Sequence, residues 1–208
     1  MRQYMQAKKE APADAILLFR MGDFYELFFE DAKRAAPLMD IVLTQRNSVP
    51  MCGVPYHAVK GYISSLLDAG VKVAIAEQVE DPKQAKGLVK REITQIITPG
   101  TVLDDDVLSA SRSNFLVALM PNRSRIGLAL LDFSTGEFRL TEFEGEAVLE
   151  TELNRLQPAE CIVPESVYGR WETESFPDVS SNTVWTPLED WLFDYDIASD
   201  RICRQFGV

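Results

Sequence analysis

The sequence predicts an α/β protein made of two successive units, each built on a mixed sheet. Three observations carry this. Short runs rich in branched and aromatic residues alternate with amphipathic helices between Ile16 and Ile97. Three strand-like runs, a helix and a fourth strand follow between Phe115 and Val163. Between the two lies a stretch of acids and small residues, Asp104-Asp105-Asp106 and then Ser109 to Ser113, with the composition of a connector. With 46% apolar and 25% charged residues in 208, the chain can build a core and is not a disordered tail.

In the first unit, Gln3 to Lys9 suits a short helix, ended before Pro12. Ile16 to Met21 reads as a strand, Gly22-Asp23 as a turn, and Phe24 to Phe29 as a second strand. Ala32, Ala35, Ala36 and Met39 share one helical face, with Pro37 weakening the end of that helix. Strands are predicted at Ile41 to Arg46 and near Met51 to Val54. The clearest helix is His57 to Ala69: Val59, Tyr62, Ile63, Leu66 and Leu67 form its apolar face, and Gly70 its stop. Val71 to Gln78 is a buried strand, 81–87 a polar excursion, and Glu92 to Ile97 a strand ended by Pro99-Gly100.

In the second unit, strands are predicted at Phe115 to Met120, Ile126 to Phe133 and Phe138 to Phe143, the last two joined by a tight turn at Ser134-Thr135-Gly136. Glu146 to Leu156 is a helix with Ala147, Leu149, Leu153 and Leu156 inward, and Glu160 to Val163 a fourth strand. The order β-β-β-α-β opens a ribonuclease-H-like fold, which normally continues past a fourth strand. Residues 166–187 show no strong periodicity, and Leu188 to Phe206 suits a terminal helix with Trp185, Trp191 and Phe193 nearby.

Charge is uneven. Residues 1–100 carry 13 Lys plus Arg against 12 Asp plus Glu; residues 101–208 carry 8 against 20 and no lysine. Contact with nucleic acid therefore belongs to the first half, because the second repels a phosphate backbone. Cys52, Cys161 and Cys203 are too far apart for a metal motif and odd in number, which fits reduced thiols of the cytosol. No run approaches the roughly 18 apolar residues of a membrane helix. His57, the single histidine, has no nucleophile and orienting acid to work with and reads as structural. The Gly-x-x-x-x-Gly-Lys-Ser/Thr phosphate loop is absent. Lys90 and Arg91 suit either phosphate neutralisation or a solvated strand edge.

The segment Met21-Gly22-Asp23-Phe24-Tyr25-Glu26-Leu27-Phe28 is unusual. In a strand, Phe24 and Glu26 project from one face and Tyr25 and Leu27 from the other. Two readings follow from the pattern: a core strand with a solvated glutamate, or a ring that wedges between bases beside an acid that accepts a hydrogen bond. Unstacking costs a few kcal/mol, and less where pairing is already defective. Two further functions compete. A nuclease needs carboxylates converging on metal ions, yet Phe115 to Met120 contains no acid, and Asp132 and Glu137 sit at hairpin ends. A protein-interaction module suits the acidic, lysine-free second half.

Several segments resemble the MutS mismatch-repair family in order and spacing: Gly22-Asp23-Phe24-Tyr25-Glu26-Leu27-Phe28, Pro50-Met51-Cys52-Gly53-Val54-Pro55-Tyr56-His57-Ala58, Ala76-Glu77-Gln78-Val79-Glu80-Asp81-Pro82, Gly87-Leu88-Val89-Lys90-Arg91-Glu92 and Thr98-Pro99-Gly100-Thr101. Similarity continues more loosely through Leu131-Asp132-Phe133-Ser134-Thr135-Gly136 and Leu153 to Glu160. The resemblance implies a mismatch-recognition domain over 1–103, a linker over 104–114 and an incomplete connector domain over 115–208. It implies that Phe24 stacks on a mispaired or unpaired base from the minor groove and that Glu26 hydrogen-bonds that base. Met51 falls in the family's loop near that groove, and Arg46 and Lys60 are backbone contacts by charge alone. The implied partners are mismatched double-stranded DNA, a MutL protein through the connector, and a second subunit of the full-length homodimer. The family's ATP and Mg2+ site lies far downstream, so no cofactor is expected in this segment, which reads as the non-enzymatic front of a bacterial, cytoplasmic, nucleoid-associated protein.

Overall fold

A computed structural model describes residues 1–80, 89–102, 114–179 and 183–207. The chain divides into two units, Met1–Ser111 and Arg112–Val208. The polar excursion at 81–87 and the connector at 104–113 lie outside the described residues.

In the first unit, α1 (Arg2–Glu10) precedes a hairpin of β1 (Ile16–Met21) and β2 (Phe24–Phe28). Its turn places Gly22 at φ +62°, a conformation that glycine supplies at the first central position of a two-residue turn. Then come α2 (Phe29–Leu38), β3 (Thr44–Arg46), β4 (Val49–Pro55), α3 (Val59–Asp68), β5 (Val73–Gln78) and β6 (Arg91–Ile97). The sheet order is β3-β4-β2-β1-β5-β6, with only β1 and β5 parallel.

Each face of this sheet has its own apolar layer. Tyr25 and Leu27 of β2, with Ile16 and Leu18, pack under α2 and α3 through Ala32, Ala35, Ile63, Leu66 and Leu67. Leu17, Phe19 and Phe28 on the other face pack under α1 through Tyr4 and Ala7. A polar knot fastens α1. The buried carboxylate of Asp31 accepts from Tyr4 Oη (3.2 Å), Lys8 Nζ (2.8 Å) and the Leu17 amide (3.0 Å), while Tyr4 Oη also donates to the Phe28 carbonyl.

Two predicted elements differ here. The strand predicted from Ile41 starts only at Thr44. Ile41 instead donates to the Ala36 carbonyl (3.0 Å) at the end of α2 and packs on the core, so the chain reaches the sheet edge late and leaves Val42 and Leu43 exposed. His57 lies in a single 3₁₀ turn, Tyr56–Ala58, ahead of α3 rather than inside the helix, and is exposed.

The second unit contains β7 (Phe115–Asn122), β8 (Arg125–Asp132), β9 (Glu137–Glu144), α4 (Glu146–Leu156), β10 (Glu160–Pro164), α5 (Glu165–Thr173), β11 (Val184–Leu188) and α6 (Tyr195–Phe206). The sheet order is β11-β10-β7-β8-β9, and β8 alone runs against the others. Leu149 and Leu153 of α4 and Val167 and Trp171 of α5 enter the same apolar cluster as Val117, Leu128 and Val163. Both α5 and β11 arise where the sequence shows no periodicity. Trp171, Phe176 and Trp185 meet ring to ring there, with centroids 5.4–6.2 Å apart, a contact that sequence spacing does not encode.

The β8–β9 turn is held by Asp132, whose carboxylate accepts from the Ser134 hydroxyl (2.7 Å) and amide (2.9 Å). These bonds, the hydroxyl foremost, lower its pKa against the opposing effect of burial. A carboxyl with a depressed folded value stabilises the fold above its unfolded value near 4 and loses that contribution as pH falls through the folded value. Urea unfolding at several pH values is expected to show Asp132→Asn less stable than wild type at neutral pH, the gap closing below about pH 4. A gap that stays constant with pH would contradict this role.

Candidate nucleic-acid interface

The face of the first sheet that carries α1 is not covered along its whole length. Phe24 stands on it 48% exposed, whereas Tyr25 is 3% and Leu27 0% exposed. Register explains the alternation. Phe24 lies between Met21 of β1 and Pro55 of β4, and Glu26 between Phe19 and Gly53. Phe28 closes the row under α1, opposite Met51. The strand therefore runs along one face from an exposed ring, past an acid, to a buried ring.

Glu26 is itself only 8% exposed, and both its oxygens are engaged. Arg46 holds them from the end of β3, with Nη1 2.6 Å from Oε2 and Nη2 3.0 Å from Oε1. The two-residue turn Asn47-Ser48, with φ of +52° and +64°, is the type that matches strand twist, and it pins Arg46 opposite Val49. Gly53 leaves room beside the acid: a Cβ there would meet the Tyr25 carbonyl at 3.2 Å and Glu26 Cγ at 3.7 Å.

The turn bearing Phe24 is braced from the opposite face. Arg20 lies over the Tyr56 ring at 3.6 Å and within 5.5 Å of the Tyr25 ring centre, geometry in which a guanidinium is attracted to the ring face. Tyr25 donates to Glu77, and burial, then this acid, push the Tyr25 phenol up to about 12, so it remains a donor. The Tyr56 amide donates to the Asp23 carbonyl (2.9 Å). On the face that carries α1, the same face as Phe24, Arg91 lies over the Phe19 ring and donates to the Arg20 carbonyl (2.5 Å), Gln3 and Val89. Burial lowers its pKa, with the Glu26 carboxylate pulling the other way. Arg91 is thus built into the fold, while Lys90 is exposed and pairs with Glu92.

The five residues singled out from the sequence are not all brought together. Phe24, Glu26 and Arg46 share one face of the sheet, with the ring and the guanidinium exposed and the acid buried. Met51 lies on the same face but packs partly against the layer beneath α1. Lys60 is exposed on the first turn of α3, the helix that covers the opposite face. Sequence reasoning missed Met21 and Pro55 beside the ring, Gly53 beside the acid, and the Arg20–Tyr25–Glu77 brace. Only strand register could have found them.

Residues 1–106 match the family model "MutS domain I", and residues 114–208 match "MutS domain II". The chain belongs to the MutS family. It is 48% identical over 219 aligned residues to the DNA mismatch repair protein MutS of Syntrophomonas wolfei subsp. wolfei (strain DSM 2245B / Goettingen), with 100% of this chain aligned to 25% of that protein. The chain thus spans about a quarter of the length of the curated MutS relative it matches. Both matched segments are MutS domains I and II. Among the described residues, no three His, Cys, Asp or Glu are grouped to hold a metal ion. No described helix is long and apolar enough to cross a membrane.

Proposed function

We propose that this chain reads mismatched and unpaired bases in double-stranded DNA for a MutS protein. Phe24 wedges into the minor groove against the lesion, and Glu26 accepts a hydrogen bond from the displaced base. The supporting observation is the half-exposed ring of Phe24 on the same strand face as a carboxylate two residues on. An aromatic with one open face can stack on any base, and the cost of opening the stack is lowest where pairing is defective. Met51 takes a lesser role at the groove. The recognition domain occupies 1–103, a linker 104–114 and the connector 115–208. The strand order β9-β8-β7-β10-β11 with one antiparallel member supports a ribonuclease-H-like connector. ATP and Mg2+ act in a domain outside this segment, the assembled protein is a homodimer, and it works in the bacterial cytoplasm.

Glu26→Ala tests the base contact. In the full-length protein this change should lower the ratio of matched to mismatched Kd. It should also raise affinity for matched duplex modestly, since loss of the carboxylate leaves the Arg46 cation uncancelled beside the phosphates. Titration of both duplexes at one fixed salt checks it, and an unchanged ratio refutes the contact.

A second reading has its own observation. The second unit is strongly acidic and exposes Phe138 and Leu140 on its edge strand β9. Such a surface suits a protein partner rather than DNA, and MutL docking on the connector is the form this takes here.

A further inference from the structure

Resting on the reading above, we propose that Arg46 is a positioning residue for lesion recognition, not a plain backbone contact: it orients the Glu26 carboxylate and cancels its charge, so that discrimination carried by Glu26 passes through Arg46. Three observations lead there. The Glu26 side chain is 11% exposed, and Arg46 grips both of its oxygens. A fork of this kind fixes the plane of the acid as well as neutralising it. The Arg46 side chain, in contrast, is 48% exposed, and a guanidinium has five N–H donors, of which this pairing uses two.

The remaining geometry says what the pair is for. A carboxylate entering a groove lined by phosphates is repelled, and the repulsion is strong where water is excluded. Paired with Arg46, Glu26 approaches as part of a neutral couple. Each carboxylate oxygen has a second lone pair, so the acid can still accept from a base edge while held. Arg46 can meanwhile direct its free donors to a phosphate. Gly53 keeps the space beside Glu26 clear of a side chain, and Phe24 sets the depth of insertion from the same face. The edge placement of β3, all three of its residues exposed, puts the arginine where a strand of DNA can reach it.

The two roles of Arg46 separate in a double-mutant cycle. Glu26→Ala, Arg46→Ala and the double variant are made in the full-length protein. Kd is measured for a matched duplex and for one with a single mispair, at one fixed salt. Arg46→Ala should cut the matched-to-mismatched ratio by about fivefold or more, as Glu26→Ala does. In the Glu26→Ala background it should change the ratio no further. A simple phosphate contact would weaken both duplexes by the same factor and leave the ratio at its wild-type value. Arg46→Lys guards against a folding defect: it keeps the charge but loses the fork, so its ratio should fall while its matched-duplex affinity stays near wild type. An unchanged ratio in Arg46→Ala or Arg46→Lys, beside a lowered one in Glu26→Ala, overturns this proposal alone. An unchanged ratio in Glu26→Ala refutes the base contact and this proposal with it.

Discussion

Phe24→Ala in the full-length protein is expected to abolish the preference for mismatched over matched duplex while leaving much of the general affinity in place. The ring is half exposed, so its loss opens no cavity in the core and the fold should survive. What disappears is the stacking surface. Base–aromatic stacking is worth about 1–3 kcal/mol, which corresponds to roughly a fivefold to hundredfold change in Kd on the mismatched duplex. Backbone affinity comes from cations that the substitution does not touch, so the slope of affinity against salt should be the same in wild type and variant. Phe24→Trp keeps a stacking face and should retain part of the preference. Anisotropy titrations of both duplexes at several salt concentrations give ratio and slope together. Persistence of the wild-type ratio in Phe24→Ala would mean that the ring does not read the lesion.

Asp31→Ala should strongly destabilise the first unit. Its carboxylate is buried and gathers three donors: the Tyr4 phenol, the Lys8 ammonium and the Leu17 amide. Leu17 is 0% exposed, so its amide would be stranded without an acceptor, and Lys8 would lose its counter-charge. Burial, and next the charge of Asp31, raise the Tyr4 pKa, so Tyr4 remains a donor throughout the neutral range. Removing one member of such a knot costs about 3 kcal/mol, a fall in Tm on the order of 10 °C for a unit of this size. Thermal unfolding measures the loss, and hydrogen exchange should show α1 loosening first, since the knot is what ties it to β1 and β2. Asp31→Asn, which keeps an acceptor for Leu17 but not the charge for Lys8, should fall in between. A Tm within about 2 °C of wild type would show that α1 is held by its apolar contacts alone.

The elements legible in the sequence were those whose signal is local. Runs rich in branched and aromatic residues marked β1, β2, β7, β8 and β9, and the helical spacing of Leu149 and Leu153 marked α4. The segment Gly22 to Phe28, with its neighbours, was enough to suggest the family. Alternation also placed Phe24 and Glu26 on one face, because side chains of a strand point to opposite sides in turn whatever the strand packs against. It could not say which face was open. That depended on where α1 ends along the sheet, a matter of contacts between Tyr4 and residues 15 to 27 positions away.

By itself, then, the sequence determined the family, the alternating faces of β2 and the charge contrast between the two halves. Tertiary structure decided the rest. It brought Arg46 across from β3 to a carboxylate 20 residues earlier, put Gly53 next to that carboxylate, and assembled α5 and β11 around Trp171 and Trp185 where no periodicity announced them. The physical reason is the same in each case. Backbone geometry repeats every two or 3.6 residues and leaves its mark on neighbouring letters, whereas a salt bridge or a ring contact is fixed by strand register and layer packing, which join residues that share no local pattern.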